Sequence, residues 1–200
     1  MKQEINPQES NRAEAFSMWM SSPMPMVTLV KTFDVTRLVK VCKKSGVKFN
    51  VLLCWCIAKA ASQIDEFFLL PQNDKLLRYD KLAVNVVVQN VKGGICLCDV
   101  PYSDNISQFN TDYLELTCRA SETCRNTSLE DYMIIGTSAL PQTELDCIVN
   151  QFFWPLEQSV PCLGQVSQRA VQNHIAYQSS VSPRSDGWCS YLPFLGQIAV

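Results

Sequence analysis

Along the first three-quarters of this chain, apolar and polar positions follow periods that switch repeatedly between helix and strand; after about residue 155 the rhythm fades. Arg12 to Trp19 holds helix formers with Phe16 and Trp19 three apart, and Pro23 and Pro25 end the stretch. Met26 to Phe33 is rich in β-branched residues and predicts a strand. Asp34 then stands as the cap of a helix over Val35 to Lys44, closed by Ser45-Gly46. Asn50 stands as a second cap. The helix it opens, Val51 to Phe67, is apolar around most of its circumference and should be buried on more than one side.

Leu69 to Arg78, with Asp74 as the turn residue, and then Leu82 to Gln89 read as a hairpin. Within it the run Val84-Asn85-Val86-Val87-Val88 predicts a strand covered on both faces. Gly93-Gly94 marks a turn into a strand over Ile95 to Val100. Asn105-Ile106-Ser107 opens a long helix through Arg125, with Phe109, Tyr113, Leu114, Leu116 and Cys118 spaced toward a buried side. Met133 to Ser138 predicts a further strand, broken by Ala139-Leu140-Pro141. Strands and helices in this order predict an α+β fold, a sheet with helices on one face.

Length and composition narrow the picture. The 200 residues suit a single domain over 1–200, and 47% hydrophobic against 18% charged residues is an ordinary globular balance. A net charge of −2 and a pI near 5.4 argue against a nucleic-acid partner. Lys43, Lys44 and Lys48 cluster locally as a solvated helix face would. No apolar run has the length of a membrane span and the amino terminus is polar, so no membrane association is expected and the protein should be cytoplasmic. The 10 cysteines include the pairs Cys54 with Cys56 and Cys96 with Cys98, set inside apolar runs, and no C-x-x-C. With His174 as the one histidine, they predict buried reduced thiols and no metal.

Residues 159–200 differ in character. They contain one acidic residue, Asp186, together with Gln165, Gln168, Gln172, Gln178 and Gln197 and a serine-rich run. A regularly patterned body over 1–150 therefore gives way to an atypical tail from about 155 to 200, where a globular domain would ordinarily close its core.

Five features in order resemble the chloramphenicol acetyltransferase family. They are Arg12 with Phe16, Asp34-Val35-Thr36 opening a helix, Lys48-Phe49 before the long apolar helix, the hairpin into Val84 to Val88, and Ser138-Ala139-Leu140-Pro141. The resemblance implies a two-layer α+β sandwich with a mixed, largely antiparallel sheet. It also implies a homotrimer with active sites between subunits, acetyl-CoA as co-substrate without a metal, and a small-molecule acceptor such as chloramphenicol. In the family a histidine of H-H-x-x-x-D-G takes the proton of the acceptor hydroxyl, because imidazole is the side chain that is neutral yet basic near pH 7. A serine of S-x-x-P holds the oxyanion with a preplaced hydroxyl.

Carried across by motif, Ser138 matches the oxyanion serine, and Arg12 with Asp186 matches an ion pair that orients the site. The tryptophan that usually follows the S-x-x-P proline is Gln142 here. The histidine position, four residues before Asp186, is Ser182, and a serine is no base at neutral pH. His174 lies in none of the motif and reads as an ordinary strand or surface histidine. As written, the chain is expected to lack activity, and the alternative reading is a catalytically silent oligomeric binding protein on the same scaffold.

The codons offer a reason. Shifted by one nucleotide, the stretch Val181 to Cys189 can spell F-H-H-A-V-M-D-G, the histidine motif in full. In the same frame Leu163 to Ser180 permits a sequence resembling the family's hairpin and catalytic strand. The frame is thus expected to have been lost between about residues 150 and 163, and the Asp186-Gly187 match to be accidental.

Overall fold

The computed structural model describes residues 2–10, 13–22, 27–72, 75–139, 165–169 and 174–181. Helix α1 (Ala13–Met20) is followed by strand β2 (Val27–Asp34), after an N-terminal strand β1 (Lys2–Ile5) that sequence patterning passes over. β1 is short and polar. It is held by antiparallel pairing with β4 (Lys75–Tyr79) and by a 2.8 Å ion pair between Lys75 and Glu4, not by burial of its own side chains.

Helix α2 (Thr36–Ser45) has Val35 at its cap with no side-chain capping bond, one residue later than expected, and the Asp34 carboxylate just before it accepts the Thr36 N–H at 2.8 Å. It ends on Gly46, whose φ of 74° lets its N–H turn back to the Cys42 carbonyl. Helix α3 differs from expectation at both ends. It spans Phe49–Ala61 after extended Lys48, so Asn50 lies inside its first turn and not at the cap. It stops near Ser62, whose hydroxyl donates to the Lys59 carbonyl, and the chain resumes as a 3₁₀ turn over Asp65–Phe68. The apolar run continues through that break because Phe67 is itself core, and apolarity alone does not mark a helix end. Burial on more than one side is observed: Val51, Ile57, Ala58 and Ala61 are fully enclosed along one side, and Leu52, Leu53 and Ala60 are buried around the rest.

β3 (Leu69–Gln72) and β4 form a hairpin in register Gln72↔Lys75, and with β1 they make a three-stranded sheet of order β1-β4-β3. The turn residue Asp74 lies outside the described residues. β5 (Leu82–Gln89) does not join that hairpin. It pairs antiparallel with β6 (Ile95–Pro101) and parallel with β7 (Met133–Ala139). The β5–β6 turn is closed by Asn90, whose side chain accepts the N–H groups of Lys92 and Gly94. Helix α4 (Ile106–Thr123) is capped by Asn105 as expected, and Cys124 in the left-handed region (φ 55°) ends it before Arg125.

The large sheet runs β2-β9-β8-β7-β5-β6, with β8 (Gln165–Arg169) and β9 (His174–Val181) between β7 and β2. Three of its five pairings are antiparallel and two parallel, an α+β arrangement with a mixed sheet. Fading hydrophobic alternation gives no sign of β8 or β9, since their residues are mostly polar or small.

α3 and α4 pack on one face of this sheet and enclose a core that includes Phe109, Val84, Val100 and Ile135. The sheet edge at β6 is covered. Asn126 accepts the Leu97 N–H, Thr127 donates to the Leu97 carbonyl, and the Asp99 N–H donates to the Thr127 carbonyl. Cys54, Cys96 and Cys98 are buried free thiols, as expected, whereas Cys42, Cys56 and Cys124 are half-buried and Cys118 is exposed, so burial of the thiols holds for the two strand positions and one helix position and not for the rest.

Candidate active site

β5 has two unlike faces, contrary to the reading of a strand covered on both. Val84 and Val86 are 0% and 4% exposed against the helices, whereas Val87 is 40% exposed on the opposite face. Successive side chains alternate, so register assigns every neighbour to one face or the other. Val84↔Val100, Val86↔Cys98 and Val88↔Cys96 are inward pairs, while Asn85↔Asp99, Val87↔Leu97 and Gln89↔Ile95 face outward.

β7 obeys the same rule. Thr137 points inward, where its hydroxyl donates to the Asn85 carbonyl at 3.0 Å and lies 3.7 Å from the Cys54 sulfur. Burial pushes the Cys54 thiol up to about 11, so it is an inert neutral group here. Ser138, next in the strand, takes the outward face and is half-buried. Continuing the parallel register one step past Val86↔Thr137 sets Ser138 level with Val87 and, across β5, with Leu97. Leu97 and Ile95 are 45% and 70% exposed. A serine hydroxyl thus stands at the border of an open apolar strip made by Val87, Leu97 and Ile95.

One row back along the strands are Gly136, Asn85 and Asp99. Asp99 is 5% exposed; its two oxygens accept the Asn85 amide N–H at 2.6 Å and the Leu129 backbone N–H at 2.9 Å. Sequence patterning passes over this pair. Each member is nevertheless a lone polar residue inside an apolar run, and that is the signal by which it could be found.

Of the residues singled out from the sequence, Ser138 and His174 have described positions; Arg12, Gln142, Ser182 and Asp186 lie outside the described residues. Sheet register still locates the strand that leads to Ser182. Ser138 pairs with Gln165 on β8, and Ala139 lines up through Val166 with Tyr177 on β9. Val181, at the end of β9, lies four residues past Tyr177 and two strands over from β7. The level of Ser138 itself falls one residue later, at Gln178, so Val181 is about 10 Å along the strand from it and about 10 Å across. His174 pairs with Arg169 at the other end of β9, a similar distance from the level of Ser138 in the opposite direction. Neither end of β9 brings a base to Ser138 within one chain.

Among the described residues no group of histidine, cysteine, aspartate or glutamate is disposed to hold a metal ion, and no helix is long and apolar enough to cross a membrane.

Comparison with known proteins gives a consistent picture. The family model for chloramphenicol acetyltransferase matches residues 3–147. Chloramphenicol acetyltransferase 3 of Escherichia coli is 31% identical over 91 residues, a stretch covering 44% of this chain and 42% of that protein, so the chain spans less than half the length of this curated relative. A solved chloramphenicol acetyltransferase superposes with a TM-score of 0.81 at 18% identity, over 100% of this chain and 98% of its own. A truncated catalytic core of the 2-oxoacid dehydrogenase multienzyme complex from Thermoplasma acidophilum has a TM-score of 0.64 at 13% identity, over 98% of this chain and 96% of that one. At these identities the likeness to the solved structures is one of fold.

Proposed function

The chain belongs to the chloramphenicol acetyltransferase family, and on that premise we propose that its scaffold is built to pass an acetyl group from acetyl-CoA to a hydroxyl of a small acceptor, while the chain as written lacks the proton acceptor the transfer needs. The observation that carries this reading is Ser138, facing outward beside the apolar strip of Val87, Leu97 and Ile95. The acceptor oxygen attacks the thioester carbonyl, its proton passes to a base, and the carbon–sulfur bond breaks to release the CoA thiolate, which takes up a proton. Ser138 supports the negative oxygen formed between those steps by donating its hydroxyl hydrogen bond. An alcohol of pKa about 16 needs a base for the first step, and Ser182 at the motif position supplies none.

The missing base has its explanation in the reading frame. Degenerate codons for residues 181–189 permit H-H-x-x-x-D-G in a frame shifted by one nucleotide, and the family match ends at residue 147, just before the region where the frame change is proposed. The single domain then comprises a family-like body over 1–150 and a tail from about 155 read out of frame. Register supports a site shared between copies, because β9 ends far from Ser138 within one chain; this agrees with the homotrimer that family membership implies. A second reading, a silent binding protein, is favoured by β8 and β9, through which the written tail still supplies two strands to the sheet.

Thiol release from acetyl-CoA in the presence of chloramphenicol tests the reading. No turnover is expected from the chain as written, and measurable turnover overturns the missing base. Resequencing tests the frame. A read that leaves the serine-rich tail in frame, with no insertion or deletion near codons 150 to 163, rejects the shift and leaves the silent binding protein.

A further inference from the structure

Two half-buried thiols stand on neighbouring helices, away from the strands that carry Ser138. Cys42 lies on the inward side of α2, in a row with Leu38 and Val39, which pack against the core, while Lys43 and Lys44 beside it are exposed. Cys56 lies on α3, with buried Leu52 and Ala60 one turn before and after it. α2 packs against α3, and the short turn after Gly46 joins the end of one to the start of the other. Counted from that turn, Cys42 is about 6 Å and Cys56 about 10 Å along its own helix. The charge of Cys42 is felt at Cys56, so the two sulfurs face a common space between the helices. Both are free, and both are open to solvent where Cys54, Cys96 and Cys98 are buried.

The chemistry of the pair selects its ligand. Burial raises the Cys56 thiol, the charge of Cys42 adds to that, and Lys59 opposes it; burial also raises Cys42. Neither sulfur is a ready thiolate, so a reagent that attacks one thiolate is poorly matched to them. The stagger of about 4 Å between them disfavours a direct S–S bond, whose geometry is narrow, and suits a bridge with an atom between the sulfurs. We propose that Cys42 and Cys56 form a dithiol site for a trivalent oxo-arsenical, with the arsenic bridging α2 and α3. Two As–S bonds form as the arsenic–oxygen double bond breaks. Both thiol protons leave with that oxygen as water, and arsenic stays trivalent, so no oxidant enters. Once the first As–S bond has formed the second is intramolecular, and the bridged adduct therefore resists a competing monothiol where a one-thiol adduct does not. The site depends neither on Ser138 nor on acyl transfer.

The probe is phenylarsine oxide, added to the folded full chain in the presence of excess glutathione. After desalting, the thiols left free are alkylated with iodoacetamide in urea and mapped by peptide mass spectrometry. Cys42 and Cys56 should lose alkylation together, and dithiothreitol, itself a dithiol, should restore both. Cys42→Ser should return Cys56 to full alkylation, and Cys56→Ser should do the same for Cys42. Cys118→Ser, which removes the exposed thiol of α4, should change neither. In a chain unfolded before the arsenical is added, protection should scatter over other thiols, because the helices no longer select the pair. Protection of one sulfur without the other, or of neither, overturns the site, and this result needs no variant to fold. Protection that survives in either serine variant overturns it as well. So does the same selective pair in the unfolded chain, which would make the packing of α2 on α3 irrelevant.

Discussion

Thr137 and Asn85 lock two parallel strands behind the candidate site, the Thr137 hydroxyl donating to the Asn85 carbonyl at 3.0 Å. Because strand residues alternate in direction, the inward threonine obliges Ser138 to face outward. The same carbonyl belongs to the residue whose side chain is held by Asp99. One inward hydrogen bond and one outward one thus fix the relative register of Ser138 and Asn85.

Thr137→Val keeps the branched shape and removes the hydroxyl. It should lower stability by about 1 kcal/mol, a fall in melting temperature of about 2–4 °C for a chain of this size. Thr137→Ser should recover most of that loss. Thermal denaturation of the three proteins decides it, and a neutral valine variant would show that the bond does not hold the register.

Asp99→Ala removes the acceptor for both the Asn85 amide and the Leu129 N–H, two groups in a nearly closed environment. The expected cost is about 2–3 kcal/mol, with Asp99→Asn costing less because it still accepts from Leu129. Urea denaturation measures the cost. Hydrogen exchange at the Leu129 amide should quicken in the alanine variant and stay slow in the asparagine one. Equal exchange in both would mean that the segment over the β6 edge is held by Asn126 and Thr127 alone.

Cys54 makes stability fall at high pH. Its thiol is raised from 9.0 to about 11 chiefly by burial, so the folded state favours the protonated form more than the unfolded state does. The sign follows: this contribution is fully present below pH 9 and is lost as pH rises through about 11. A tenfold difference in proton affinity between the two states corresponds to about 1.4 kcal/mol, so the full contribution is on the order of 2–3 kcal/mol. Urea denaturation at pH 8 and pH 10.5 should show a steeper loss in the native protein than in Cys54→Ala. Parallel losses in the two would place the alkaline weakness in other thiols or tyrosines.

Much of the body was legible because its signals are local. Asp34 before Thr36, Gly46 after Ser45 and Asn105 before Ile106 each mark a helix end by backbone chemistry that needs no tertiary context. Asn50 misled because a good capping residue also sits tolerably inside a first turn, and extended Lys48 set the start instead. β1, β8 and β9 were hidden for a different reason: their pairing is long-range and their residues are polar or small, so no period-2 apolar signal forms. Ser138 was legible through a motif. Asn85 and Asp99 needed the β5–β6 register, which is a property of the fold and not of either run alone.

The reading frame makes the sharpest prediction, because it separates one missing side chain from a wrong tail. Ser182→His in the chain as written places an imidazole at the motif position, but Val181 stands where the motif has its first histidine, and the strand leading to it is polar. No acetyl transfer to chloramphenicol should appear. A coding sequence shifted by one nucleotide between codons 150 and 163 supplies the histidine with its strand, and turnover is expected. In that restored protein Ser138→Ala removes a donor that matters only once the oxyanion forms, so kcat should fall about 10²–10³-fold with KM little changed. Thr137→Val there should lower the melting temperature but spare most of the rate, since its hydroxyl faces the core. Activity gained by Ser182→His alone would refute the frame change. A restored protein indifferent to Ser138→Ala would remove the oxyanion role from Ser138.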